Sequence, residues 1–78
     1  MKLWDAIRNR ILDLANQNNI TIHKLSLLSG IPYSTLSSFI NKKSKSPTID
    51  TILHLCEGLN IELKDFFSDK IFSDLDSE

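Results

Sequence analysis

Residues 21–41 read TIHKLSLLSGIPYSTLSSFIN and contain the clearest structural signals in the chain. Thr21 is a favourable N-cap, because its hydroxyl can accept a hydrogen bond from a free backbone N–H at a helix start. Gly30 suits a tight helix end, because glycine adopts a left-handed backbone at low cost. Pro32 is tolerated in the first turn of a helix, where its missing N–H would have no partner. The stretch therefore predicts two short helices separated by a turn, Ile22–Ser29 and Tyr33 to Ile40 or Asn41.

The second of these helices has an apolar and a polar face. Leu36, Phe39 and Ile40 recur at helical spacing, so we expect them to face the core, together with Leu25 and Leu28 of the preceding helix. The polar face is formed by Tyr33, Ser34, Ser37, Ser38 and Asn41. Two short helices joined by a glycine-containing turn are typical of a helix-turn-helix, in which the second helix enters the major groove of DNA.

The flanking sequence predicts three further helices and no strand. The first runs from Leu3 to about Asn18, the fourth from Ile49 to about Leu59 after a Thr48 cap, and a short fifth begins within Glu62 to Asp65. The apolar stripes expected to face the core are Leu3, Trp4, Ile7, Ile11, Leu12, Leu14 and Ala15; Ile49, Ile52, Leu53, Cys56 and Leu59; and Leu63, Phe66 and Phe67. Arg8, Arg10 and Asp13 fall outside the first stripe. The predicted fold class is all-α, a compact five-helix domain.

Charge is unevenly distributed along the chain. The formal net charge is −1 over 78 residues, yet no Asp or Glu occurs between Asp13 and Asp50. The lysines inside that window are Lys24, Lys42, Lys43 and Lys45. From Asp50 onward, eight acidic residues accompany only two lysines. A local basic surface is what phosphate binding requires, so the middle of the chain is a better guide than the total.

Several classes of protein are disfavoured by composition. The single cysteine, Cys56, cannot form an internal disulfide, which favours a cytoplasmic location. No apolar run approaches the roughly 20 residues that span a bilayer, so we expect no membrane association. His23 and His54 have no second ligand at metal-binding spacing. The sequence contains no nucleophile–base pair, carboxylate dyad or phosphate loop. We therefore expect that the protein is not an enzyme and that it binds no cofactor or small-molecule ligand.

The stretch from Thr21 to Phe39 resembles the helix-turn-helix of the lambda repressor/Cro type, also called the xenobiotic-response-element family. The resemblance continues through Asn41-Lys42-Lys43, Pro47-Thr48-Ile49, Leu55-Cys56, Leu59-Asn60-Ile61 and Leu63-Lys64-Asp65-Phe66-Phe67, and covers roughly residues 6–67. It implies a five-helix lambda repressor-like DNA-binding domain. We expect this domain to comprise residues 1–68, with the motif at 21–41, and residues 69–78 to form an acidic tail or an extension of the last helix.

The resemblance also implies which side chains contact DNA. The residues that correspond to base-reading positions are Tyr33, Ser34 and Ser38, with Ser37 beside them. The residues that correspond to phosphate contacts are Thr21, His23, Lys24, Asn41, Lys42, Lys43 and Lys45. Serine pairs with either kind of base, and the early positions of the helix carry no Arg, Gln or Asn. We therefore expect weak or shape-assisted specificity from this face alone.

The function expected from these features is sequence-specific binding of double-stranded DNA by a repressor-like transcriptional regulator. A homodimer would read a two-fold site whose halves lie about 34 Å apart. The dimer contact is expected either from the segment Phe67–Leu75 or from the Trp4 end of the first helix. The alternative is that the same fold serves as a protein-interaction module through its acidic C-terminal third, with Ile71, Phe72 and Leu75 as anchors.

Overall fold

The computed structural model describes residues 1–41 and 47–76, and all regular secondary structure within these ranges is helical. The helices are α1 (Leu3–Gln17), α2 (Ile22–Ser29), α3 (Tyr33–Ile40), α4 (Ile49–Leu59) and α5 (Leu63–Phe66), followed by a 3₁₀ turn (Lys70–Ser73). The predicted all-α class is confirmed. No helix in the described part of the chain is both long enough and apolar enough to cross a bilayer.

Side-chain caps and left-handed residues set the helix bounds. The Lys24 N–H donates to the Thr21 hydroxyl at 3.0 Å, which starts α2, and Gly30 ends it with a φ of +68°. The Thr51 N–H donates to the Thr48 hydroxyl at 3.1 Å in the same way at the start of α4. Each cap satisfies a backbone donor that would otherwise lack a partner. The predicted bounds of α2 and α4 are therefore confirmed.

The core lies between α1, α2, α3, α4 and α5. Its buried side chains include Ile11, Leu25, Leu36, Phe39, Ile52, Leu55, Cys56 and Phe66. Helices α2 and α4 pack closely, and Gly58 makes this approach possible. A Cβ at Gly58 would collide with the Ser29 hydroxyl and lie 3.0 Å from the Leu28 carbonyl carbon. Because backbone atoms are the obstacle, a larger residue there would force the two helices apart.

Several predicted core positions are wrong. The side chains of Leu3, Trp4, Leu12, Leu28, Ile49 and Leu53 are exposed, whereas Leu55, which the predicted stripe of α4 left out, is fully buried. Apolar residues cover a wide arc of α1 and α4, but the neighbouring helices cover only part of each arc. Spacing alone identifies the arc; packing decides which part of it is buried.

Arg8 and Arg10, which fall outside the predicted stripe of α1, are both buried. Arg10 reaches the C-terminal end of α5, where its Nε donates to the Phe66 carbonyl at 2.7 Å and its Nη2 donates to the Asp65 carbonyl at 2.8 Å. The last carbonyls of a helix have no partner within the helix, so this arginine satisfies them. A buried arginine is tolerated here because backbone acceptors replace its hydration.

The segment after α5 folds back onto the domain and does not continue that helix. The Ile71 N–H donates to the Asp69 carboxylate at 2.9 Å at the start of the 3₁₀ turn, and the Phe72 ring lies 5.0 Å from the Phe67 ring. Further along, the Met1 amine and the Asp76 carboxylate form a 2.8 Å ion pair. The hydrogen bond within this pair lowers the pKa of the Asp76 carboxyl and raises the pKa of the Met1 amine.

Candidate nucleic-acid interface

The polar face of α3 projects from the domain. Tyr33 is 49% exposed and Ser34 is also exposed, while Ser37 and Ser38 are half-buried. At about 100° per residue, these four positions lie within an arc of about 140°. The opposite side of α3 is held in the core by Leu36 and Phe39. The helix is therefore fixed from within, and its four predicted base-reading residues share the outward side.

The start of α2 lies beside the start of α3. Thr21, His23 and Lys24 are all exposed. The His23 and Tyr33 rings form an edge-to-face pair with their centroids 5.1 Å apart. The Thr21 hydroxyl accepts the capping hydrogen bond, which leaves its own hydrogen free to donate. The structure thus brings His23, a predicted phosphate-binding residue of α2, next to Tyr33, the first residue of α3.

The other end of α3 carries Asn41, which is exposed. Its Nδ2 donates to the Ser37 hydroxyl oxygen at 3.1 Å, so the two side chains form one polar group at the exit of the helix. The Ser37 hydroxyl keeps its own hydrogen for a further acceptor. Lys42, Lys43 and Lys45, the remaining predicted phosphate contacts, lie outside the described residues.

Arg8 of α1 lies against the C-terminal end of α3, and it was not among the functional residues predicted from the sequence. Its Nη1 forms a 2.6 Å ion pair with the Asp5 carboxylate, and its guanidinium lies 5.5 Å from the centre of the Phe39 ring. The signal in the sequence was the spacing of Asp5 and Arg8, which places the two side chains on one face of a helix. Nothing in that spacing shows that the pair would face α3.

Thr35 is also exposed, but it lies toward the inner side of α3. It borders a largely apolar cavity of 70 Å³ between α3 and the start of α4, which Pro47 and Thr51 also line. This volume is well below the roughly 300 Å³ of a small-molecule site. Within residues 1–41 and 47–76, no three His, Cys, Asp or Glu side chains are grouped so that they could hold a metal ion.

Helix α4 presents a surface of different charge. Asp50 and Glu57 are exposed on its outer side, and His54 lies between them, with its ring nitrogens 3.7 Å and 3.3 Å from the two carboxylates. The described residues of the helix-turn-helix, 21–41, include no acidic side chain. The two surfaces therefore differ in the potential that they would present to a polyanion.

This geometry defines a helix-turn-helix DNA-binding domain: a capped first helix, a left-handed glycine turn, and a second helix fixed by its apolar side with its polar side outward. The family model of the Cro/C1-type HTH DNA-binding domain matches residues 10–70, and the chain belongs to this family. The resemblance noted in the sequence is confirmed. No curated protein and no solved structure matches the chain significantly.

Proposed function

We propose that the protein is a sequence-specific, repressor-like regulator of transcription that binds double-stranded DNA as a homodimer. The observation that carries this proposal is the exposed polar face of α3, beside the exposed His23 and Lys24 of α2. Membership of a DNA-binding family supports the same conclusion. We assign this function to a domain of residues 1–68, with residues 69–78 as an appended acidic segment.

Contacts with bases come from α3, and contacts with phosphates come from the start of α2 and from the segment that follows α3. Tyr33 and Ser34, at the start of α3, reach furthest into the major groove, and Ser37 and Ser38 follow one turn later. The phosphate contacts are made by Thr21, His23, Lys24, Asn41, Lys42, Lys43 and Lys45. Phosphate contacts set affinity and register, whereas base contacts set sequence preference. Because serine hydroxyls discriminate weakly between bases, part of the specificity comes from DNA shape.

We infer dimerisation from the short length of α3, the helix proposed to contact bases. A helix of eight residues contacts only a few base pairs, so two copies are needed to specify a site. Two copies related by a two-fold axis would read half-sites about 34 Å apart on one side of the duplex. A selected operator should therefore be an inverted repeat with that spacing.

Selection of bound sequences from a random duplex pool, followed by a salt titration on the selected site, tests this function. If the four lysines between residues 14 and 49 each neutralise one phosphate, the logarithm of the binding constant should fall against log salt with a slope of about −3 to −4 per protomer. Failure to enrich any sequence, or binding that does not depend on salt, would contradict the proposal.

Charge reversal of Lys42 and Lys43 separates DNA binding from the protein-interaction alternative. The double variant Lys42→Glu, Lys43→Glu should abolish DNA binding, because it replaces two attractions to phosphate with two repulsions. A function carried by the acidic C-terminal third would survive this change. The family match does not favour that alternative.

A further inference from the structure

Arg8 of α1 is a buried charged residue that lies against the C-terminal end of α3. Its side chain is 8% exposed, and its guanidinium carbon lies over the Phe39 ring, 5.5 Å from the ring centre. Its Nε donates to the Phe39 carbonyl oxygen at 3.4 Å, at the long end of the hydrogen-bonding range. Arg8 therefore contacts both the backbone and the side chain of one residue in the last turn of α3.

The end of α3 is a favourable place for a cation. The last carbonyls of a helix lack intrahelical partners and carry the negative end of its dipole. An arginine can neutralise this partial charge while its planar guanidinium stacks on an aromatic ring. Because α3 has only eight residues, a contact at one end can affect the position of the whole helix.

Asp5 fixes the direction in which Arg8 points. The two side chains lie three residues apart on α1, and Nη1 of Arg8 is 2.6 Å from the Asp5 carboxylate. Asp5 remains 44% exposed, so its charge stays solvated. An ion pair of this kind is weak support for stability, because desolvation of the buried partner offsets the attraction. Its geometric effect is the more informative one: it directs the guanidinium toward Phe39.

We propose that the Asp5–Arg8 pair is a positioning device that sets the tilt of α3 against DNA, and that Arg8 contacts neither base nor phosphate. This inference rests on the proposed function. At 1.5 Å per residue, α3 is about 12 Å long, so a tilt of about 5° at its Phe39 end moves the Tyr33 end by about 1 Å. Such a shift is large relative to the tolerance of a hydrogen bond to a base edge.

Arg10 provides a matched control for Arg8. It is a second buried arginine on α1, but it holds the end of α5 through the carbonyls of Phe66 and Asp65. Arg10→Met removes a donor from both carbonyls and breaks the ion pair of Arg10 with Asp69, although the Asp65 carbonyl still accepts from the Ser68 hydroxyl. It should therefore destabilise the domain at least as much as Arg8→Met. If only general stability mattered, both variants would weaken DNA binding alike.

The experiment compares DNA affinity and salt slope for the unmodified protein, Arg8→Met, Arg10→Met and Arg8→Lys at a temperature where all are folded. Arg8→Met should lose roughly tenfold or more in affinity, about the value of one base contact, with an unchanged salt slope. Arg10→Met should keep its affinity. Arg8→Lys should recover only part of the affinity, because lysine keeps the charge but lacks the guanidinium that contacts Phe39 and Asp5 together.

Asp5→Asn retains Arg8 and keeps the shape of the Asp5 side chain. It should lower DNA affinity by a smaller factor than Arg8→Met does. If Arg8→Met does not fold, Asp5→Asn serves as the test in its place. Unchanged affinity in both Arg8→Met and Asp5→Asn would overturn the inference. An equal loss in Arg10→Met, or a salt slope reduced by about one in Arg8→Met, would also overturn it. If the unmodified protein shows no salt-dependent binding, the proposed function fails, and this inference fails with it.

Discussion

Helices α3 and α4 have similar inner faces and different outer faces. Each packs apolar side chains into the same core, Leu36 and Phe39 from α3 and Ile52 and Leu55 from α4. The outer face of α3 carries hydroxyl groups and no acid, whereas that of α4 carries Asp50 and Glu57. A duplex is a polyanion, so of these two outer faces that of α3 would meet less charge repulsion from it. The inner faces therefore specify the fold, and the difference between the outer faces is the basis for proposing that α3, and not α4, contacts DNA.

The largest expected effect concerns the inner face of α4. Leu55 is 0% exposed and Leu53 is 38% exposed. Leu55→Ala should lower the free energy of unfolding by about 2–5 kcal/mol, because it leaves a cavity in the core. Leu53→Ala should cost about 1 kcal/mol or less, because it removes a side chain that water already reaches. Urea denaturation measures both; equal losses would show that the inner face of α4 is wrongly identified.

A negative charge on the outer face of α3 should separate DNA binding from stability. Ser34→Glu should reduce DNA affinity by about a hundredfold, or about 2.7 kcal/mol, because it places a carboxylate beside the duplex. The thermal midpoint should hardly change, because the first turn of a helix favours a negative charge. Ser34→Ala, as the control, should lose much less. Fluorescence anisotropy with the selected duplex gives the affinities; near-native binding by Ser34→Glu would remove α3 from the interface.

Two charge reversals compare the helix-turn-helix with the acidic third. Lys24→Glu should weaken DNA binding by roughly tenfold and lower the salt slope, since an attraction to phosphate becomes a repulsion. Lys64→Glu makes the same change of charge on α5, where Lys64 lies 3.3 Å from Glu62 at the surface. It should leave affinity unchanged, because the proposed interface does not include that surface and an exposed ion pair adds little stability. Equal effects would indicate that only net charge matters.

The smallest expected effect concerns Cys56, which lies on the inner side of α4. Burial raises the pKa of its thiol, so the folded state disfavours the thiolate. Stability is therefore fully present below the ordinary cysteine pKa of about 8.5 and should decline as pH rises above it. Denaturation midpoints at neutral and alkaline pH measure this decline, which should be smaller in Cys56→Ala. An identical decline in the variant would assign it to other groups.

Much of the helix-turn-helix could be predicted from local chemistry. Thr21, Gly30 and Pro32 act within one or two turns of the chain, so the bounds of α2 and the start of α3 follow from the residues themselves. The four candidate base-reading residues are set on one side of α3 by helical periodicity. Their roles toward DNA remain a prediction.

What could not be predicted depends on contacts between distant segments. Leu55 is buried in place of Leu53 because it lies on the side of α4 that the rest of the core covers. The sequence pattern places Arg8 and Arg10 at the surface. In the structure both are buried, because the ends of α3 and α5 provide backbone carbonyls that accept hydrogen bonds from them. The 3₁₀ turn after α5 likewise depends on Phe72 packing against Phe66 and Phe67. Helical spacing carries no information on such partners.

Amide chemical-shift mapping with the selected duplex shows which helices contact DNA. The large shifts should fall on residues 21–24 and 33–41, while the amides of Asp50 to Glu57 on α4 should hardly move. Shifts concentrated on α4 and the acidic C-terminal third, with the amides of α3 unchanged, would contradict the proposed interface.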